Sequence, residues 1–505
     1  MRFPVSVIAF SGFASLTAAQ ASAELVEEAL IWGIPLYQTA ITGYKTLAKN
    51  QVGFNTFIRN HALENSSTDP NLAPNVDTLY SQVFLDLYNT GVEITAPVNE
   101  SSDRYLLLPF YEAYTNYFAS ASRRNYPHGS KFLVYGPNSP KVKDESIYDA
   151  IFTSPTDLAW LVARTEVKYY HNSTDLAIAN AIESTFTVST TESVTPRNPA
   201  ILLPSGVLST DPLYFWKALG NLVTLFPPTV PAVLDAFVSL GLSPTGFNST
   251  GLDATTLAEL TAAPALLASL LTSVDPVTTV KSPRADVAVN NNWFTFLDAG
   301  NYSTDYSLRA ALALAGGGAN IPADAVYYEA EVDIDFDILN GNTSYVIDVP
   351  STGFPNNAFW SIIAYYKSNA SLIYNTAEIY GVGTHTGADL VYTVDDTIIR
   401  ILLQPTEPTE TDVNWLPTPN DLEFTLITRV YQPTSEVIAN KFPFPPIRKF
   451  NTSDLAATTE VPYGAPTAVL STSTNIQYSA PNLYSSAKSV SGSIFLVVLL
   501  VVGLI

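Results

Sequence analysis

The sequence predicts an α+β protein in which two β-rich regions flank a helical section. Three observations carry this. Between residues 75 and 135, short runs of strand-forming residues, "RYLLLPF" (104–110), "YTNYFAS" (114–120) and "KFLVYG" (131–136), are divided by turn residues. That spacing suits a β-sandwich or barrel. From about 200 to 280 the chain turns to capped, apolar-faced helical patterns. From 325 to 431 it returns to strands: "AVYYEAEVDI", "SYVIDVP", "AFWSIIAYY", "TIIRILLQ" and "EFTLITRVY".

Length and composition set bounds. A chain of 505 residues has room for two or three domains with a sizeable core. With 47% apolar and 14% charged residues it is globular rather than disordered. A net charge of −22, with no Lys/Arg cluster, repels phosphate backbones and excludes nucleic acid as a partner. The chain has no cysteine, so disulfides, thiolate nucleophiles and Cys-based metal sites are excluded, and burial alone must hold the fold.

Taken in order, the elements are these. Residues 1–21 read as a secretory signal peptide: Arg2, an apolar run from Phe3 to Leu16, and the cleavage pattern Ala19-Gln20-Ala21. The first β-rich domain spans 22–199 and opens on a helix, because Leu25, Ala29, Trp32, Leu36 and Ala40 recur at helical steps. Pro35 should kink or split that helix. "SPTDLAWLVARTEV" (154–167) also reads as a helix, with Ser154 or Thr156 as its cap. The helical connector spans 200–290: Asp211-Pro212 starts one helix, Thr229 precedes another that ends at Gly241, and a third pattern breaks near Pro264. The second β-rich domain spans 291–450.

Residues 451–485 form a Ser/Thr/Pro-rich stalk. Residues 486–505 end in "IFLVVLLVVGLI", a tail of roughly 18 Å as a helix, too short for a ~30 Å hydrocarbon core. Small residues and a polar spacer precede it, the pattern of a glycosylphosphatidylinositol signal with attachment at Ser485. The expected partner is therefore the outer leaflet, reached through a lipid anchor. Eight N-x-S/T sequons suit the same route: Asn65, Asn99, Asn172, Asn248, Asn301, Asn342, Asn369 and Asn451.

Several stretches together resemble a known family, the pairing of domain of unknown function 1254 with domain of unknown function 1214. The N-terminal match rests on "PNVDTLYS" (74–81), "DRYLLLPFYEAYTNYFA" (103–119) and "SPTDLAWLVART" (154–165). The C-terminal match rests on "GNYSTDYSLRAALALAG" (300–316), "AFWSIIAYY" (358–366) and "NWLPTP" (414–419). The resemblance implies two jelly-roll-like β-sandwich domains joined by helices, and no particular chemistry. One stretch departs from it: "YNTAEIYGVGTHTGAD" (374–389) lacks the arginine that family members often carry there.

Familiar catalytic signatures are absent: no nucleophile elbow, no H-E-x-x-H and no P-loop. The four histidines, His61, His128, His171 and His385, are far apart in sequence. Asn75 and Asp77, just before a strand, allow two readings. Either they form an Asx-turn, or they join Tyr80, Tyr111, Tyr114 and Asn116 in a polar-aromatic ligand pocket of the first domain. Trp360 and Trp415 are candidates for a matching pocket in the second domain, or are simply buried. Arg123 and Arg124 suit carboxylate recognition, as a substrate clamp at Arg123 or as a structural ion pair.

Glu329, Glu331, Asp333, Asp335 and Asp337 alternate with apolar residues and would share one face of a strand. Asp333 and Asp335 are the candidates for a divalent cation such as calcium; the other reading is a charged edge strand. No other cofactor is implied. The expected function is a lipid-anchored surface glycoprotein that binds a small or carbohydrate-like ligand or acts in a cell wall. The alternative is a secreted hydrolase or lyase using carboxylate and tyrosine groups.

Overall fold

A computed structural model describes residues 18–67, 73–97, 104–168, 172–203, 211–265, 276–283, 286–384, 390–393 and 396–451, with side chains from Ala23 onward. The signal peptide through Thr17, the sequon at Asn99, the stalk after Asn451 and the C-terminal tail lie outside the described residues.

The two β-rich regions are sandwiches, and each repeats the other. The first is built around eight strands, Thr78–Asp86, Val92–Thr95, Leu106–Glu112, Tyr117–Ser122, Lys131–Tyr135, Ala150–Thr153, Leu158–Glu166 and Thr187–Thr190, with the short Ile58–Arg59 added at the edge beside Thr78–Asp86. The second is built from Ala325–Ala330, Tyr345–Pro350, Trp360–Tyr366, Gly381–Gly383, Ile398–Gln404, Asn414–Pro417, Phe424–Tyr431 and Arg448–Lys449. In each set the first, seventh, third and fourth strands form one antiparallel sheet, in that order. The sixth, fifth, second and eighth form the other, with the fifth and sixth parallel. In each a helix separates the seventh and eighth strands, Ser173–Ser184 in the first and Ser435–Ile438 in the second.

Alternation along the strands builds the cores. Val83, Leu85, Leu106, Leu108, Phe110, Leu161 and Phe132 fill the first sandwich. Trp293, Tyr328, Ile347, Trp360, Ile401 and Leu426 fill the second. Each such side chain, fully buried, contributes roughly 1.5–3 kcal/mol. The other faces of the two larger sheets are buried as well. They pack, together with the helices, into a third and larger cluster that includes Trp32, Phe84, Trp160, Trp216, Leu219, Leu312 and Ile427. These two sheets are the inner sheets of the molecule.

Two local expectations are corrected. Residues 158–166 are a strand, not a helix. The run is apolar on both sides because Ala159, Leu161 and Ala163 enter the sandwich while Leu158, Trp160 and Val162 enter the shared cluster. A strand buried on both faces has no period-2 signature to distinguish it from a buried helix. The opening helix is not split: Ala18–Asn50 runs through Pro35. It buries Ala29, Trp32, Leu36 and Ala40 as its spacing requires, and packs on helix Tyr306–Gly316.

The connector forms helix Tyr214–Leu225, a 3-10 stretch Pro231–Leu240 ended by Gly241 at φ 82°, and helix Ala254–Ala262. Asp211 accepts from the Leu213 N–H at 2.9 Å, preparing the first of these. After helix Tyr306–Gly316 the chain lies against the first inner sheet. A Cβ at Gly318 would stand 2.9 Å from the Tyr111 ring, which is why only glycine fits there.

Candidate functional site

Where the inner sheets face each other, polar and aromatic side chains replace aliphatic ones. On Leu158–Glu166, the parity that sends Leu161 and Ala163 into the sandwich turns Arg164 outward. On Phe424–Tyr431, Leu426 and Val430 point inward, so Thr425, Ile427, Arg429 and Tyr431 face the first domain. Register then sets Tyr80 opposite Arg164 in one sheet and Tyr327 opposite Arg429 in the other. Both arginines have 0% exposure. The repeat thus presents the same Tyr–Arg pair from both sides of the layer.

The stretch "PNVD" lies at this seam. Ala73 N–H donates to the Ala370 carbonyl at 2.8 Å, and the Pro74 carbonyl accepts from Tyr365 Oη at 2.8 Å. Asn75 Oδ1 accepts from Asp77 N–H at 2.6 Å, so the Asx-turn exists and Asn75 makes it. Asn75 Nδ2 donates to Tyr431 Oη at 2.7 Å. Asp77 Oδ2 accepts from Ser361 Oγ at 2.6 Å and from Tyr431 Oη at 3.0 Å. Arg429 donates from Nη1 to Tyr365 Oη at 2.7 Å and from Nη2 to the Ala73 carbonyl at 3.0 Å. Asp77 is the carboxylate whose charge supports this guanidinium.

Arg164 is held differently. Its Nη1 donates to Tyr327 Oη at 3.2 Å and, weakly, to Tyr80 Oη at 3.4 Å. Its Nε and Nη2 are buried and make no hydrogen bond within 3.5 Å, with the Tyr111 hydroxyl the nearby group that interacts with the guanidinium more loosely. Around it, Asn320 Nδ2 donates to Tyr327 Oη at 2.8 Å, and Tyr111 Oη donates to Asn320 Oδ1 at 3.1 Å. A cavity of about 10 Å³, large enough for one water-sized body, lies against Asn320, Tyr327, Phe296 and Leu312.

A second cross-domain link centres on Asp324, which is fully buried. It accepts from Arg124 Nε at 2.9 Å and Nη2 at 2.6 Å, from Ser120 Oγ at 3.2 Å, and from Tyr117. Burial, with Asp324 beside them, holds the Tyr105 and Tyr117 hydroxyls well above their ordinary range; burial and Asp77 do the same for Tyr431. These phenols are neutral donors at physiological pH. Glu329 also faces the layer with 0% exposure and accepts from Thr425 Oγ1 at 3.1 Å. Burial, and then the neighbouring Glu331, push its carboxyl well above the carboxylate range.

Of the residues singled out from sequence, Asn75, Asp77, Tyr80 and Tyr111 come together in this layer. Tyr114 lies elsewhere: its hydroxyl donates to the Phe226 carbonyl at 3.0 Å and its ring lies 5.6 Å from Trp32. Asn116 closes its own turn, donating to Glu112 Oε1 at 2.6 Å. Arg123 is half-buried, and it is Arg124 that spans the seam. Trp360 fills the second sandwich, 5.1 Å from Phe354, whereas Trp415 sits on an edge strand and donates to the Gln404 carbonyl at 2.9 Å. The two tryptophans do not share a pocket.

The acidic run is not one strand face. The strand ends at Ala330, and residues 333–337 form a turn with Phe336 at φ 69°. Asp333 Oδ1 accepts from the N–H groups of Asp335 and Asp337, both at 2.9 Å. The Lys449 ammonium stands 3.2 Å from Asp333, 3.4 Å from Asp335 and 2.5 Å from Asp337, in the place proposed for a cation. Among the described residues no cluster of three or more His, Asp or Glu has metal-holding geometry. An open groove of about 410 Å³ runs beside Phe57, Ile58, Arg59 and His61. Its arginine is committed to the Glu183 and Phe186 carbonyls at 3.0 and 2.6 Å.

Sequence reasoning missed Arg164, Tyr327, Tyr365, Arg429, Tyr431, Ser361 and Asp324. A signal existed for the arginines: each is a lone cation in an otherwise apolar strand, "AWLVART" and "TLITRVY".

Fold and site define an α+β protein of two repeated β-sandwiches that share a Tyr–Arg layer. The family described as "Protein of unknown function (DUF1254)" matches residues 54–190, and that described as "Protein of unknown function (DUF1214)" matches 324–435. The chain belongs to the proteins that carry these two domains in tandem. The crystal structure of the VPA0106 protein from Vibrio parahaemolyticus is similar, with TM-score 0.64 and 18% identity over 85% of this chain and 100% of that one. At that identity the likeness shows the fold alone. A putative uncharacterized protein from Burkholderia cenocepacia aligns over 87% of this chain and 95% of its own, with TM-score 0.43 and 14% identity. No curated protein matches the sequence.

Proposed function

We propose that the chain is a secreted, lipid-anchored surface glycoprotein that binds a small ligand in the layer between its sandwiches. The observation that carries the binding part is the concentration of buried Tyr, Arg, Asn and Asp side chains at the seam, where aliphatic packing would be simpler. The surface part rests on the leader-like N-terminus, the short apolar tail and the sequons. Asn65, Asn172, Asn248, Asn301, Asn342, Asn369 and Asn451 are all exposed.

Two measurements test this reading. Phosphatidylinositol-specific phospholipase C should release the protein from membranes, and retention with the C-terminal peptide intact counts against the anchor. A thermal-shift screen of small sugars and acids against the full chain should find a compound whose effect is lost on substitution at Asp77 or Tyr80. A second reading, a hydrolase or lyase, is favoured by Glu329, a buried carboxyl that burial and then Glu331 push above the carboxylate range, on the same face as Tyr327 and Arg429. Turnover that disappears in Glu329→Gln would select it.

A further inference from the structure

We infer that the ligand of this layer carries a carboxylate, and that the Nε/Nη2 edge of Arg164 receives it. The inference rests on the binding function proposed above and names the chemistry of the ligand.

The argument starts from charge. A guanidinium stays protonated inside a protein, and an isolated buried charge is costly unless paired. Arg164 has 0% exposure, and no carboxylate lies within ion-pair reach of it among the described residues. Its repeat partner Arg429 has the Asp77 charge nearby, and only its Nε is buried without a hydrogen-bond partner. Two positions that match in topology and register therefore differ in how far they are satisfied: Arg429 lacks a hydrogen-bond partner at one nitrogen and Arg164 at two.

Geometry then identifies the missing group. The Nε and Nη2 hydrogens of arginine point the same way and suit the two oxygens of a carboxylate. This chain uses that edge in such pairs elsewhere. Arg400 donates from Nε and Nη2 to the two oxygens of Asp348, at 2.7 and 3.2 Å. Arg124 donates from the same two nitrogens to Asp324. On Arg164 those two atoms are the ones that make no hydrogen bond. Its third nitrogen, Nη1, is bonded to Tyr327 and Tyr80, which orients the free edge. Tyr327 Oη accepts from both Arg164 and Asn320, leaving its own proton to donate to a bound acid. The small cavity borders Asn320 and Tyr327 and not Arg164, so an acid reaches the guanidinium only where neighbouring side chains of the layer give way.

The test uses the full chain in thermal-shift and calorimetric titrations at constant ionic strength set by chloride. The probes are acetate, succinate and benzoate, with inorganic phosphate and neutral glucose as separate arms. At least one carboxylate should raise the melting temperature in proportion to the logarithm of its concentration. Arg164→Gln should abolish that rise at every concentration. Tyr327→Phe, which keeps the guanidinium, should weaken binding about tenfold, and it decides the matter if Arg164→Gln does not fold. A merely structural Arg164 would lower stability on substitution by the same amount with or without the acid. A response to phosphate but to no carboxylate overturns the carboxylate assignment. Glucose binding with all acids silent overturns this inference and leaves the binding function standing. Silence in every arm removes both.

Discussion

Ser361 Oγ donates to Asp77 Oδ2 at 2.6 Å, joining a strand of the second sandwich to the loop that opens the first, 284 positions apart. The same carboxylate accepts from Tyr431 and supports Arg429. Asp77 is therefore a counter-charge at the seam, and the adjoining Asx-turn belongs to Asn75.

Asp77→Asn should consequently be destabilising. The amide keeps the shape and one oxygen for the Ser361 and Tyr431 hydroxyls, loses the charge near buried Arg429, and puts an NH2 group where the second carboxylate oxygen stood. The loss is that of charge-assisted hydrogen bonds and of a nearby counter-charge, about 1.5–3 kcal/mol. Urea unfolding monitored by tryptophan fluorescence checks it; a change under about 1 kcal/mol would reduce Asp77 to a turn residue.

The Arg124–Asp324 link should respond asymmetrically. Arg124 has 35% side-chain exposure and Asp324 has 0%. Arg124→Met leaves the fully buried Asp324 carboxylate with only the neutral donors Tyr117 and Ser120, and should cost about 3 kcal/mol. Asp324→Ala removes the buried charge itself and leaves Arg124 able to reach solvent, so it should cost less, about 1–2 kcal/mol for the acceptor that Tyr117 and Ser120 lose. Equal costs in the same unfolding assay would contradict this ordering.

Glu183 gives stability a pH dependence. It is 1% exposed, accepts from Ser81 Oγ at 2.7 Å, and burial pushes its carboxyl from 4.5 up to about 7. A raised carboxyl pKa means that the folded state holds the proton more tightly. The contribution is fully present below pH 4.5 and is lost as pH rises toward about 7. Glu183→Gln should match the wild type near pH 4.5 and exceed it at pH 8 by up to about 3 kcal/mol. Parallel stability–pH curves for the two proteins would refute the assignment.

Calcium should leave the fold unaffected at the acidic turn. Lys449 already stands among Asp333, Asp335 and Asp337, and a divalent cation would have to displace it. Melting temperatures in chelator and in millimolar calcium should coincide; a rise that disappears in Asp335→Asn would show that the cation wins.

The sequence by itself determined the class of the protein, its tandem family and most of its strands. Those depend on local alternation, turn residues and motif order, which are written in neighbouring positions. "SYVIDVP" and "TIIRILLQ" became strands because their apolar residues suit a buried pleat. The stretch 154–167 misled for the complementary reason: burial on both faces erases the alternation. Only the tertiary structure decided the site. Tyr80 and Arg164 are 84 positions apart, and Arg164 and Tyr327 are 163 apart. Register and the docking of two sandwiches bring them into contact. The repeat of the two domains was equally hidden, because strand order and a paired Tyr–Arg register survive in space while the residues between them differ. Local sequence fixes which face a side chain takes; what it meets across that face depends on the other half of the chain.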